Sequence, residues 1–129
     1  MEPTSKQAAI GLNDVFRFVL ELSALAGFAW LGSTLGSGVG PWVYGVAFPV
    51  VAATVWGVFA VPGDPSRSGR APVPVSGRVR LAIELLFFGL AVVSFGHVAG
   101  VYVAAVLAVA VVLHYVTSGD RLHWMLRSS

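Results

Sequence analysis

Arg17-Phe18-Val19-Leu20-Glu21-Leu22 and Arg80-Leu81-Ala82-Ile83-Glu84-Leu85 are two copies of one pattern, 63 positions apart. Each sets an arginine, and one helical turn later a glutamate, inside an apolar run. A carboxylate in the middle of a membrane helix costs about 2.5–3.5 kcal/mol on insertion-type scales, so it needs a partner or a task. What surrounds these two motifs decides the fold.

The surroundings are apolar over most of the chain. Of 129 residues, 57% are hydrophobic and 11% charged, and the mean hydropathy is +0.82. A soluble domain carries about 25% charge. The composition therefore indicates one small integral membrane domain. Four stretches are each close to the roughly 20 residues a spanning helix requires. They cover residues 12–32, 42–61, 78–96 and 100–117. Glycine-rich Gly32 to Pro41 closes the first, and Pro62-Gly63-Asp64-Pro65 halts the second. Ser76 is a suitable N-cap for the third. Period-2 alternation is lacking, which argues against a β-barrel. The expected fold is an all-α membrane protein, a four-transmembrane-helix bundle. Its single domain spans 12–117, with an N-terminal segment 1–11, a loop 62–77 and a C-terminal tail 118–129.

All fourteen charged residues fall on one side of this plan. The basic ones are Lys6, Arg17, Arg67, Arg70, Arg78, Arg80, Arg121 and Arg127. None lies in the first or third connection. The positive-inside rule then puts both termini and the central loop in the cytoplasm, at a prokaryotic-type plasma membrane. The same topology explains the basic balance, so nucleic acid is not an expected partner. The first apolar run is too long for a signal h-region and holds Arg17 and Glu21, so no cleaved leader is expected. Both motif copies enter from the cytoplasm, which suggests two helical hairpins related as a parallel repeat. Trp30, Trp42, Tyr44 and Tyr102 fall near the outer interface. Trp56, Tyr115 and Trp124 fall near the inner one, and all seven read as interfacial anchors.

Within each motif, arginine and glutamate share a helix face and can pair. In water such pairs contribute only about 0.2–0.5 kcal/mol, which does not offset burial. A crossed arrangement is therefore expected, with Arg17 near Glu84 and Arg80 near Glu21 at the cytoplasmic third of the bundle. Arg17, Glu21, Arg80 and Glu84 form the candidate site. It is either a structural clasp or a place where a proton, cation or lipid headgroup binds. Asp14 shares the Arg17/Glu21 face and reads as a solvated first-turn acid.

Other chemistry finds little support. There is no cysteine, which excludes disulfides and thiol catalysis. His97, His114 and His123 lack metal-ligand spacing, so no metal or cofactor is expected. No nucleophile–base motif is present, and an enzyme is not expected. Pro49 should kink helix two. Ser23/Gly27 and Ala104/Ala108 allow close helix contact.

The two Arg-x-x-x-Glu-Leu motifs occur with Trp56-Gly57-x-Phe59-x-x-Pro62, Ala71-Pro72 and Phe88-Gly89. Together these resemble the YrdB-like family of small, uncharacterised four-span membrane proteins, over roughly Leu12 to Val116. His114-Tyr115 departs from the more polar, Asn-containing end that the resemblance implies for the fourth helix. The resemblance implies a membrane address and four helices, and no reaction. The expected role is a non-enzymatic structural, interaction or lipid-binding component. Its partners would be the bilayer and a second copy or another membrane protein. The alternative is a small oligomeric proton-coupled transporter using Glu21 or Glu84. An arginine one turn from Glu21 favours its ionised form and counts against that alternative.

Overall fold

The computed structural model describes residues 11–64 and 70–128. It contains α1 (Leu12–Gly32), α2 (Gly40–Val58), β1 (Phe59–Ala60), β2 (Val73–Pro74), α3 (Gly77–Val98), α4 (Val101–Thr117) and α5 (Gly119–Arg127). Helices α1, α2 and α3 are each long and apolar enough to cross a membrane. Helix α4 and α5 are bent by 72° against each other and make a fourth such span if counted together.

Local sequence accounts for most boundaries. Pro41 stands in the first turn of α2, where its missing N–H is harmless. Ser76 caps α3 by accepting from the Val79 N–H. Helix α2 runs on through Pro49. It ends at Val58, three residues before the expected position. Phe59 turns to an extended backbone, and β1 pairs in parallel with β2 through Phe59–Val73 and Ala60–Pro74. The tail expected beyond residue 117 is not featureless, since α5 occupies it.

Helices α1 and α3 form the central pair, with α2 and α4 flanking them. Helix α1 buries Arg17, Leu20, Ala24, Gly27 and Phe28, a stripe at helical spacing. It meets Phe87, Phe88 and Ala91 of α3, Trp56 of α2 and Leu107 of α4 in one core. Trp56 stacks at 4.3 Å on Phe87, and Phe28 meets Phe87 edge-on at 5.4 Å. Outward faces are apolar too. Helix α2 buries only Trp56, and Val46, Val50, Leu86, Val93, Val106 and Val112 are all exposed.

Two glycines allow the backbone crossings that set this arrangement. A Cβ at Gly32 would stand 2.2 Å from the Tyr44 carbonyl oxygen, so α1 and α2 approach this closely because no side chain intervenes. A Cβ at Gly77 would stand 1.7 Å from the Met125 carbonyl oxygen. The Gly77 N–H also donates to the Ser128 carbonyl at 2.7 Å. The last turn of α5 thus lies directly on the first turn of α3.

Candidate functional site

The two motif copies enter one buried network at the end of the bundle that holds α5. Its centre is Glu84, fully buried on α3. Its Oε2 accepts from Arg17 Nη2 at 3.1 Å, Arg80 Nε at 2.9 Å and Arg121 Nη2 at 2.7 Å. Its Oε1 accepts from the Tyr115 hydroxyl at 2.6 Å and Arg121 Nη1 at 3.0 Å. Helices α1, α3, α4 and α5 therefore each place a donor on one carboxylate.

Arg121 reaches this point from α5. It grips Glu84 with two nitrogens and holds Asp64 with Nε at 3.1 Å and Nη2 at 2.7 Å. These are two bidentate pairs on one guanidinium, a geometry an ammonium cannot supply. Burial works against the charge on Arg121, but the hydrogen bonds it donates to Glu84 and Asp64 outweigh it and hold its pKa above the usual range. Asp64 follows the Pro62-Gly63 turn and is 2% exposed.

Arg80 has a second role. Its Nη1 donates at 2.7 Å to the carbonyls of both Trp56 and Phe59. These lie at the C-terminal end of α2, where carbonyls lack helical partners and the dipole is negative. The α2 boundary and the arginine thus explain each other. The Arg80 guanidinium also lies 4.2 Å from the Trp56 ring, with that of Arg17 at 5.4 Å. Among the described residues, three arginines face three carboxylates, Glu21, Asp64 and Glu84, so their formal charges sum to zero. Neutrality and dense hydrogen bonding are what allow charges to remain buried.

The crossed pairing is half realised. Arg17 bridges to Glu84, while both intrahelical pairs also form. No salt bridge joins Arg80 to Glu21 among the described residues. Glu21 bonds Arg17 Nε at 2.9 Å and keeps 22% of its side chain exposed, against 0% for Glu84. Two positions alike in sequence are thus unlike in space. The cause is α5, which adds Arg121 on the Glu84 side only.

Sequence reasoning missed Asp64, Tyr115 and Arg121. Asp64 lies in a turn that reads only as a helix stop. Tyr115 and Trp56 were expected as interfacial anchors, but they line the network instead. Arg121 belongs to the expected C-terminal tail, residues 118–129. The spacing of Leu122, Met125 and Leu126 on one face of α5 is the signal that could have revealed it.

Beside the network lies an open cleft of about 360 Å³, edged by Asn13 and Asp14 of α1, the end of α4, and Asp120 and Trp124 of α5. His114, 2% exposed, lies at its base. Its Nδ1 is 3.3 Å from Asn13 Oδ1, which also accepts from Thr117 Oγ1 at 3.0 Å. Asn13 Nδ2 in turn donates to Ser118 Oγ. A second, larger groove of about 630 Å³ runs between α1, α2 and α3 and is lined by Phe28, Phe48, Val51, Leu86 and Phe87. Among the described residues, no three His, Asp or Glu side chains are grouped to hold a metal ion.

Comparison with known proteins places the chain. Residues 15–112 match the family described as "Protein of unknown function (DUF2568)". The chain is 38% identical over 117 residues to the "Uncharacterized protein YrdB" of Bacillus subtilis (strain 168), covering 88% of this chain and 93% of that relative. No solved structure matches. The chain belongs to the DUF2568 family.

Proposed function

We propose that this member of the DUF2568 family spans the plasma membrane four times, with both termini and the central loop in the cytoplasm. It acts there as a non-enzymatic scaffold, closed at its cytoplasmic end by the Glu84 clasp. Four spans are supported by three long apolar helices and by α4, whose 17 residues extend about 25 Å. Outward faces of valine and leucine suit lipid. The described charged side chains gather at one end of the bundle, as the positive-inside rule requires. At the other end, the chain between α3 and α4 carries no formal charge.

One observation carries the scaffold reading. Both oxygens of Glu84 are filled by donors, five in all, four of them from three different arginines. A proton on that carboxylate would set a donor against donors. A group so committed holds helices together and does not cycle. Such a scaffold would present its lipid-facing helices to a second copy or to another membrane protein.

Two experiments test this. Topology is read from single cysteines in a chain that has none of its own. Ser37→Cys reacts with an impermeant thiol reagent added to intact cells, and Arg127→Cys reacts only after lysis. The reverse pattern removes the orientation. For the clasp, purified Glu84→Gln is compared with wild type in detergent and in proteoliposomes under an imposed pH gradient. Loss of folded protein supports the scaffold. A stable variant with altered proton flux would instead establish the transporter.

A further inference from the structure

The cleft beside the clasp has a polar character that the clasp does not use. Arg17 and Arg121 border it, yet both are committed to carboxylates. Asp14 and Asp120 edge it from the first turns of α1 and α5. Neither forms a salt bridge or side-chain hydrogen bond among the described residues. First-turn acids relax helix dipoles wherever they stand. These two line one cleft, which the buried His114 also lines.

His114 supplies the independent observation. Asn13 Oδ1 accepts from Thr117, and Asn13 Nδ2 donates to Ser118. With the asparagine so oriented, His114 Nδ1 is the donor of their contact. The other ring nitrogen, Nε2, is then a bare acceptor, and it is buried without a hydrogen-bond partner among the described residues. A buried polar atom left unpaired is costly, and the group that satisfies it must bring an N–H or O–H.

We propose that this cleft binds a primary ammonium group, held between Asp14 and Asp120 and donating an N–H toward His114. Trp124 at the cleft wall offers an aromatic face to the same cation. The two free carboxylates disfavour an anion. The need for an N–H donor separates a primary ammonium from a quaternary one. On the topology proposed above, which puts both helix ends at the cytoplasmic headgroup level, the bilayer is one source, through phosphatidylethanolamine. A soluble amine is the other. The site does not depend on the scaffold role, because binding is read without any assay of that role.

The test uses the full chain purified in mild detergent, with native mass spectrometry for lipids and calorimetry for soluble amines. The probes are phosphatidylethanolamine, phosphatidylcholine, phosphatidylglycerol, ethanolamine and choline. Wild type is expected to retain the ethanolamine lipid about tenfold more tightly than the choline or glycerol lipids, the value of one lost charged hydrogen bond. Asp14→Asn/Asp120→Asn removes that preference while thermal unfolding stays near wild type, both side chains being exposed. Ethanolamine binding as tightly as its lipid, with choline weak, assigns the site to a soluble amine. Equal retention of ethanolamine and choline lipids overturns the proposal, as does an asparagine variant that binds like wild type, or failure of every amine to bind.

Discussion

Replacing Gly77 by alanine adds one methyl group, and the structure indicates that it unlatches the last helix. The new Cβ would stand 1.7 Å from the Met125 carbonyl oxygen, 2.5 Å from its carbonyl carbon and 2.7 Å from its Cα. All three are backbone atoms, so no rotamer change relieves the contact. Ordinary van der Waals contact begins near 3.4 Å. The end of α5 must therefore retreat by about 1.7 Å, and the 2.7 Å bond from the Gly77 N–H to the Ser128 carbonyl breaks. Arg121 lies one turn back along the same helix. Its bonds to Glu84 and Asp64 are 2.7–3.1 Å, and the same retreat takes them out of range. Overpacking alone costs about 1–3 kcal/mol, and lost hydrogen bonds to a charged group cost about 1.5–3 kcal/mol. A total near 3–5 kcal/mol matches the penalty for breaking a buried ion pair on one side. The assay is reversible unfolding in mixed micelles, with hydrogen exchange followed along residues 119–128. Fast exchange throughout α5 together with the stability loss is expected. A Gly77→Ala protein with wild-type stability and a protected α5 would refute the argument that α5 rests on α3 at this glycine.

The two glutamates of the repeated motif should respond differently. Glu84→Gln removes the hub of the network and costs about 3–5 kcal/mol in the same unfolding assay, whereas Glu21→Gln, 22% exposed with one arginine partner, costs under about 1 kcal/mol. Equal losses would mean that the network is not centred on Glu84. Arg80→Lys keeps the charge but cannot hold Glu84 and two carbonyls at once. A loss above about 2 kcal/mol with earlier fraying at the end of α2 is expected, and exchange at residues 55–60 checks it. A Glu84→Gln/Arg121→Gln cycle should show coupling of about 1–3 kcal/mol, and strict additivity would count against their contact.

Much of this architecture is legible in the chain. The uncharged run of α2 and the Ser76 cap are read from local chemistry; the cap forms where that chemistry puts it, while α2 ends three residues early. The doubled Arg-x-x-x-Glu-Leu motif identifies the end of the bundle where charge is concentrated. It also leads to the contact between Arg17 and Glu84, because neither intrahelical pair offsets its own burial. What the sequence does not display is the asymmetry. Asp64 and Arg121 lie 57 positions apart, outside the apolar runs, and charged residues in such places are ordinarily solvated. Only the docking of α5 onto Gly77 takes them out of water. That docking depends on a glycine whose purpose is a contact with a segment 48 residues away. The short β1–β2 pairing is hidden for a similar reason, since two-residue strands carry no periodicity.

The order in which the ribosome delivers the six charges gives the network a further property. Arg17, Glu21, Asp64, Arg80 and Glu84 all emerge before Arg121. Until then the assembled helices hold two cations against three anions, and Asp64 and Glu84 lack the guanidinium that grips both. Among the described residues, a chain ending before α5 therefore has one more carboxylate than guanidinium in this network. The nine residues of α5 thus bring the charges of the described network into balance.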